Sequence, residues 1–209
     1  MREFQEIMEF VEREIVPRYD AFDAGHNRDH ALTVISQALD LAQYYPEVDR
    51  CLILIAAAYH DLGLVFGRNE HHIHSSRIVR EDERLRQWFN EQEIALIADA
   101  AEDHRASSGH EPRTIYGRII AEADRIIESD TIVRRALQYG LKHEPELDRE
   151  GQYRRLMEHM REKYDYGGYL KLWIPHGDNA RRLEEFRQLL ANPEAFRCLF
   201  DKIYNSLIH

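Results

Sequence analysis

The residues of this chain with the clearest chemical potential are an adjacent histidine and aspartate that follow its most apolar stretch. His60 and Asp61 come directly after residues 51–59, which are all apolar. Because a carboxylate buried at this point loses its hydration, it needs a divalent cation or an ion pair to neutralise it. The pair therefore indicates a buried metal site, and the alternative is a core histidine beside an aspartate that pairs with an arginine.

Three further polar residues border the apolar stripes of other predicted helices. They are His30, His104 and Asp124, and each taken alone is more typical of a packed, solvated or arginine-paired side chain than of a ligand. Taken together they change the interpretation, because all-helical proteins assemble metal sites from side chains that facing helices direct inward. Glu122 and Arg125, which lie beside Asp124 in its helix, are predicted to project toward the polar side.

The order of these residues resembles the HD superfamily of metal-dependent phosphohydrolases, which is named for its His…His-Asp…Asp ligands. The tetrapeptide at residues 60–63, His-Asp-Leu-Gly, is close to the one by which that family is most easily identified. The resemblance covers about residues 26–128, whereas the C-terminal third matches only in being helical. It implies that one divalent ion is held by four ligands, namely His30, His60, Asp61 and Asp124.

The resemblance also extends to two histidines outside that set. His71, followed by Ser75, looks like the segment in which some members place a further ligand, and His104 matches the next such position. If both serve, Asp61 could bridge two metals. The alternative for residues 71–74, a histidine-rich run, is a solvated helix start.

A phosphate ester also needs a cation beside its remaining oxygens. Arg105, directly after His104, is the first candidate for this role, and Lys142 is the second. In the alternative interpretation, Arg105 pairs with Asp103 or with another acid at the surface. We therefore predict catalytic roles for His71, His104 and Arg105.

The resemblance implies an enzyme that uses a divalent metal to hydrolyse a small phosphate ester or a nucleotide, as a phosphatase or a phosphodiesterase does. Its nucleophile would be a metal-bound hydroxide, because a divalent ion lowers the pKa of bound water toward neutrality. The ligands suit Mn, Fe, Co, Ni, Zn or Mg, and one or two ions are expected. Residues 122–128 depart from the Asp-Ala-Asp-Arg/Lys-Leu-Asp run common in small members, so the resemblance defines neither the substrate nor the number of metals.

Two other functions stay open. Some proteins of this helical type use two bridged irons to cleave C–C or C–P bonds, and the additional histidines favour such a di-iron oxygenase. The other alternative is a non-catalytic ligand-binding or regulatory module in which the metal is structural.

Apolar residues recur at helical spacing through nearly the whole chain, and the alternation typical of strands is scarce. We therefore predict an all-α fold, a compact HD-domain-like helical bundle with additional C-terminal helices. A single domain is expected over residues 1–209, with a motif core at about 26–128 and a helical extension at about 129–209. The helices before residue 130 are predicted at residues 4–15, 27–45, 48–61, 72–89, 90–101 and 113–126.

Capping residues define several of these limits. Asn27 is expected to cap the second helix, and residues 90–93 contain a capping box. Asn192 and Pro193 are expected to begin the last helix. The third helix is apolar on nearly all sides and is expected at the buried centre of the fold.

Composition restricts the partners and the location. The formal net charge of −10 disfavours binding to a nucleic acid duplex. The longest apolar stretch is far shorter than the roughly 20 residues that cross a bilayer, so no membrane partner is expected. The acidic start of the chain lacks the pattern of a secretory signal. We therefore predict a small phosphorylated substrate and a cytoplasmic location, but no oligomeric state. Cys51 and Cys198 are interpreted as free core thiols.

Overall fold

The computed structural model describes residues 3–23, 25–108 and 110–208. Within these ranges the chain forms ten α-helices joined by loops and short 3-10 or π segments, and it contains no strand. The predicted all-α class is therefore confirmed. The α-helices are α1 Phe4–Phe10, α2 Arg28–Ala42, α3 Arg50–Tyr59, α4 His71–Glu81, α5 Glu91–Asp103, α6 Ile115–Ala123, α7 Ser129–His143, α8 Arg149–Tyr164, α9 Asn179–Leu190 and α10 Pro193–Ile208.

The described chain divides into two compact units. The first contains the residues up to Arg125 together with Trp173–His176, and the second contains Ile126–Leu172 together with the residues from Gly177 onward. All the predicted metal ligands lie in the first unit. The expectation of a single domain over residues 1–209 stays a prediction.

The apolar helix α3 lies at the centre of the first unit, as predicted. Residues 51–59 are all buried, and α2, α5 and α6 pack around them. Burying each large aliphatic side chain contributes roughly 1.5–3 kcal/mol, so this helix is a major source of stability. No single helix in the described ranges is long and apolar enough to cross a membrane. Two segments joined by a bend, Arg50–Phe66 and His71–Glu81, reach that length and apolar composition only when they are taken together.

Most of the predicted helix starts agree with the structure because their capping residues act as expected. The Asn27 side chain accepts a hydrogen bond from His30 N at 3.1 Å at the start of α2. At the start of α5, the Asn90 side chain accepts from Glu93 N at 3.0 Å, and the Glu93 carboxylate accepts from Asn90 N at 2.9 Å. The predicted start of the last helix at Pro193 is also observed.

The largest differences in extent concern the first and the fourth predicted helices. The first α-helix ends at Phe10, and the chain continues as a π turn and then as a 3-10 segment, Val16–Ala21, that includes Pro17. Proline is tolerated there because the first residues of a helical segment need no N–H partner. The predicted fourth helix ends as α4 at Glu81, since Asp82 is extended and its side chain caps a separate 3-10 segment.

The two cysteines are free but differ in burial. Cys51 is buried in α3, as predicted, whereas Cys198 is exposed, so its interpretation as a core thiol is wrong. Cys198 lies between Phe196 and Phe200, which are both buried in α10. Residues two apart on a helix face different directions, which turns Cys198 away from this apolar face.

Glu122 and Arg125 are buried, so the prediction that they project toward the polar side is wrong. The Glu122 Oε2 atom accepts hydrogen bonds from Trp173 N at 2.8 Å and from Ile174 N at 3.4 Å. A carboxylate is tolerated in this position because it satisfies backbone donors of the segment Trp173–His176, which belongs to the first unit. The helical pattern could not reveal this role, since the partner segment, Trp173–His176, lies far along the chain.

Removing the Glu122 carboxylate should release this segment. We expect Glu122→Ala to lower the free energy of unfolding by about 1–3 kcal/mol, the usual cost of leaving buried polar groups unsatisfied. We also expect faster chymotryptic cleavage at Trp173. Glu122→Gln is the matched control because it retains a carbonyl oxygen that can accept. Urea unfolding together with limited proteolysis tests this role, and equal stability and cleavage of Glu122→Ala and the wild type would contradict it.

Candidate metal centre

His60 and Asp61 lie where α3 ends, and the change in backbone direction brings their side chains together. The helix ends at Tyr59, His60 is its C-cap, and Asp61 leaves it with φ −110° and ψ 2°. Both side chains are buried, and His60 Nε2 lies 3.2 Å from Asp61 Oδ2. The third helix is predicted to reach residue 61, but it stops before Asp61. Because the backbone changes direction there, the neighbouring side chains of His60 and Asp61 can face the same point.

Three side chains from separate helices form a first group, donor set A, which consists of His30, His60 and Asp124. His30 lies in the first turn of α2, and Asp124 is the C-cap of α6. His30 Nε2 lies 3.3 Å from His60 Nε2 and 3.2 Å from Asp124 Oδ1, while His60 Nε2 lies 3.8 Å from that oxygen. Asp61 Oδ2 lies 3.5 Å from His30 Nε2. The structure thus brings together the four residues that the sequence singled out as ligands.

A second group, donor set B, consists of Asp61, His71 and His104. His71 is the first residue of α4, and His104 is the C-cap of α5. Their Nε2 atoms lie 3.1 Å apart, and Asp61 Oδ1 lies 3.4 Å from His71 Nε2 and 3.5 Å from His104 Nε2. Asp61 is a member of donor set B, and it turns Oδ1 toward the two histidines of that set and Oδ2 toward His30 and His60 of donor set A. The alternative of a solvated helix start does not describe His71, whose side chain is 15% exposed.

Three of the imidazoles are oriented by backbone carbonyl groups. The Nδ1 atoms of His60, His71 and His104 lie 2.7, 2.7 and 2.5 Å from the carbonyl oxygen three residues earlier. A carbonyl oxygen only accepts, so each Nδ1 donates, and in the neutral imidazole each Nε2 presents a lone pair to the centre. Such contacts are typical of histidines that bind metals. His30 differs, because its buried Nδ1 has no hydrogen-bond partner among the described residues.

The spacing of the donor atoms fits a divalent cation. Adjacent ligands at about 2.1 Å from an ion lie roughly 3.0–3.4 Å apart in octahedral or tetrahedral geometry. Contacts of 3.1 to 3.8 Å separate the donor atoms here. Two Nε2 lone pairs at such distances repel each other unless a proton or a cation lies between them. Each donor set therefore has the atoms and the spacing to hold one ion.

The electrostatic environment of the centre favours positive charge. Within the described part of the chain, every ion-pair partner of Asp61 and Asp124 is a histidine. Burial opposes ionisation of these two carboxyls, but the charges and hydrogen bonds of the histidines outweigh it and lower the pKa of both. Burial lowers the pKa of His30, but hydrogen bonds to Asp124 and Asp61 outweigh it and raise that pKa to about 9. Burial and the neighbouring His104 lower the pKa of His71 to about 4, which keeps it a neutral ligand at pH 7.

The side chains of the centre differ in exposure to the solvent. The Asp124 side chain is 27% exposed and that of His71 is 15% exposed, whereas those of His30, His60, Asp61 and His104 are at most 4% exposed. Asp124 and His71 are therefore the candidate ligands that the solvent reaches most.

Arg105 lies beside donor set B. Its Nη1 atom donates to Asn69 O and lies 3.4 Å from Nδ1 of His72, the residue that follows His71 in α4. Its Nε atom donates to Ser107 Oγ at 2.9 Å. The guanidinium is thereby held at the start of α4, close to the ligands of donor set B.

The charge of Arg105 has no acidic partner within the described ranges. Its alternative partner, Asp103, is buried and instead binds Arg113, whose N, Nε and Nη2 atoms lie 2.7, 3.0 and 2.8 Å from the carboxylate oxygens. A guanidinium without a carboxylate partner is suited to a phosphate oxygen. Lys142, the second candidate cation, lies in the last turn of α7 in the second compact unit.

Gly63 and Ser75 hold α4 against the end of α3, a role that the sequence analysis missed. Gly63 N donates to the buried Ser75 Oγ at 2.9 Å. A Cβ atom at Gly63 would lie 2.6 Å from Ser75 N and closer still to His71 O. Only glycine permits this approach of two backbones. In the sequence, Gly63 in the tetrapeptide at residues 60–63 was a sign that two backbones could approach closely here. The glycine could not show which segment packs on it.

The fold and the centre define an all-α protein with a buried His/Asp cluster that could hold metal. Residues 27–128 match the family model of the HD domain, and this range contains every residue of both donor sets. Residues 27–128 therefore form an HD domain. Proteins of the HD superfamily are generally metal-dependent hydrolases.

The chain is also similar to a crystal structure of a predicted HD superfamily hydrolase from an uncultured Thermotogales bacterium. The two are 21% identical with a TM-score of 0.49, and the similarity covers 65% of this chain and 74% of that one. No curated protein matches this chain.

A side chain at Gly63 should displace α4 and, with it, His71. We expect Gly63→Ala to reduce the metal bound per chain, because donor set B loses its geometry while the residues of donor set A lie on other helices. Elemental analysis after Mn²⁺ loading and dialysis measures this change. Gly167→Ala is the matched control, since a Cβ atom there meets nothing within 4 Å. Equal metal content in Gly63→Ala and the wild type would rule out this dependence on α4.

Proposed function

We propose that this HD domain protein is a metal-dependent phosphohydrolase that acts on a small phosphate ester or nucleotide in the cytoplasm. The observation that most supports this function is the position of Asp61, whose two carboxylate oxygens face donor sets A and B at 3.2 to 3.5 Å. A divalent ion, when bound, activates a water molecule and withdraws charge from a phosphoryl oxygen, which are the two requirements of phosphate ester hydrolysis.

The protein residues in this proposal act mainly by holding and orienting. Donor set A and Asp61 Oδ2 would hold one ion, and donor set B would hold a second. His71 and His104, predicted as catalytic residues, would therefore act as ligands. The neutral state of His71 suits this role, because only an unprotonated Nε2 can bind a cation.

Arg105 would bind the substrate rather than the metal. Its guanidinium lies near His72 and has no carboxylate partner among the described residues, so its charge is available to a phosphate group. Binding there would place the phosphoryl group beside donor set B. Arg105 would thus contribute to the recognition of an anionic substrate.

A second candidate function is a di-iron oxygenase, and donor set B is the observation that favours it. A carboxylate shared by two histidine-containing donor sets is also suited to two bridged irons. The two functions differ in their metal requirement and in their second substrate. Oxygen consumption that depends on two irons per chain would favour the oxygenase, whereas phosphate release with Mn, Co or Ni would favour the hydrolase.

Asp61→Asn tests the metal centre because it removes one negative charge with little change in shape. Changes in residues that merely support metal ligands typically cost about 10–100-fold in affinity or activity, so we expect a loss of at least about 100-fold here. Elemental analysis measures bound metal, and phosphate release from a panel of model monoesters, diesters and nucleotides measures activity. Asp40→Asn, on the exposed side of α2, is the matched control. A wild-type rate in Asp61→Asn would exclude a hydrolytic centre at these residues.

Arg105→Ala tests the proposed substrate contact. Loss of a charge-assisted hydrogen bond costs about 1.5–3 kcal/mol, which corresponds to a decrease of roughly 10–150-fold in kcat/KM. Metal content should not change, because Arg105 is not a ligand, and Arg105→Lys should recover part of the loss by restoring the charge. Arg86→Ala, which removes an exposed arginine paired with Glu83 and Glu91, is the control. The substrate role is wrong if Arg105→Ala hydrolyses the panel with unchanged kcat/KM.

A further inference from the structure

Asp61 needs a constraint that α3 itself does not supply. The helix ends at Tyr59, so Asp61 lies outside it with φ −110° and ψ 2°. Its carboxylate must nevertheless direct one oxygen to each donor set. A small rotation of this turn would move both oxygens away from the imidazoles, because the side chain is short and projects directly from the backbone.

Tyr19 contacts this turn from a distant part of the chain. It is fully buried and lies in the 3-10 segment Val16–Ala21. Its hydroxyl donates to Ala58 O at 2.9 Å and accepts from Asp61 N at 3.4 Å. One hydroxyl group therefore joins the last turn of α3 to the backbone of Asp61, and it uses both its donor and its acceptor capacity to do so.

The ring of Tyr19 is itself held in place. It packs edge to face on Phe22, with ring centroids 5.5 Å apart, and its centroid lies 6.3 Å from that of His60. A buried aromatic side chain has few alternative rotamers, so its hydroxyl is fixed in position. This rigidity makes Tyr19 suitable for holding the backbone of Asp61.

We propose that Tyr19 is a positioning residue that holds Asp61 between donor sets A and B. The proposal rests on the metal centre proposed above. It assigns to the segment before α2 a role in metal binding, although no residue of that segment belongs to either donor set.

Tyr59, the last residue of α3, provides a matched control. It is also fully buried, and its hydroxyl donates to Asp82 Oδ2 at 2.7 Å. Tyr19→Phe and Tyr59→Phe each remove one buried hydroxyl, so they impose similar losses on the packed core. Only Tyr19→Phe removes a contact with Asp61, so a difference in metal binding between the two variants reports on positioning rather than on stability.

The experiment compares Mn²⁺ binding by the wild type, Tyr19→Phe and Tyr59→Phe. Isothermal titration gives the affinity and the number of ions, and electron paramagnetic resonance shows whether two ions are coupled through a shared carboxylate. We expect Tyr19→Phe to lower the Mn²⁺ affinity by about 10–100-fold and to weaken the coupled signal, the usual range for residues that orient ligands. Tyr59→Phe should bind Mn²⁺ like the wild type even where its Tm is lower.

The possible results distinguish a failure of the proposed role of Tyr19 from a failure of the proposed metal centre. Equal Mn²⁺ affinity and an equal signal in Tyr19→Phe and the wild type would overturn the role of Tyr19 and leave the metal centre intact. A wild-type protein that binds no Mn²⁺ would overturn the metal centre and, with it, the role of Tyr19. If Tyr19→Phe does not fold, hydrogen exchange in the wild type decides the question. An Asp61 amide as protected as those within α3 supports the contact with Tyr19, and exchange at the rate of an exposed amide overturns it.

Discussion

A buried carboxylate with only histidines as ion-pair partners is the constraint on which the rest of this structure depends. Asp61 follows the most apolar helix of the chain, and a charge at such a position costs several kcal/mol unless it is neutralised. No lysine or arginine pairs with it in the part of the chain that the structure describes. Histidines compensate the charge only by holding a proton or by sharing a cation with it, so the centre needs at least one protonated imidazole or a bound cation.

The candidate ligands other than Asp61 share one structural feature, which is their position at helix ends. His60, His104 and Asp124 are C-caps, whereas His30 and His71 lie in first turns. The last carbonyl groups of a helix have no intrahelical partner. The imidazoles of His60 and His104 donate to such carbonyls in α3 and α5, so the same hydrogen bond satisfies the backbone and directs Nε2 to the centre.

The candidate ligands of the centre differ in how far the solvent reaches them. Most of them are buried, but Asp124 is partly exposed. The arginines of the same region also differ, since Arg113 is neutralised by the buried Asp103, whereas Arg105 has no such partner within the described ranges. The charge beside donor set B is therefore that of an arginine without a carboxylate partner.

The sequence by itself determined the helical class and most helix starts, because caps and apolar periodicity are local properties. It also supplied the candidate donor residues, through the resemblance of their order to the HD superfamily. It misjudged Glu122 and Arg125, since periodicity defines a helix face but does not show which distant segment covers it. Only the tertiary structure decided that Asp61 serves both donor sets and that Tyr19 and Gly63 support it. Those arrangements depend on distances between atoms of different helices, which follow from how the core packs and not from spacing along the chain.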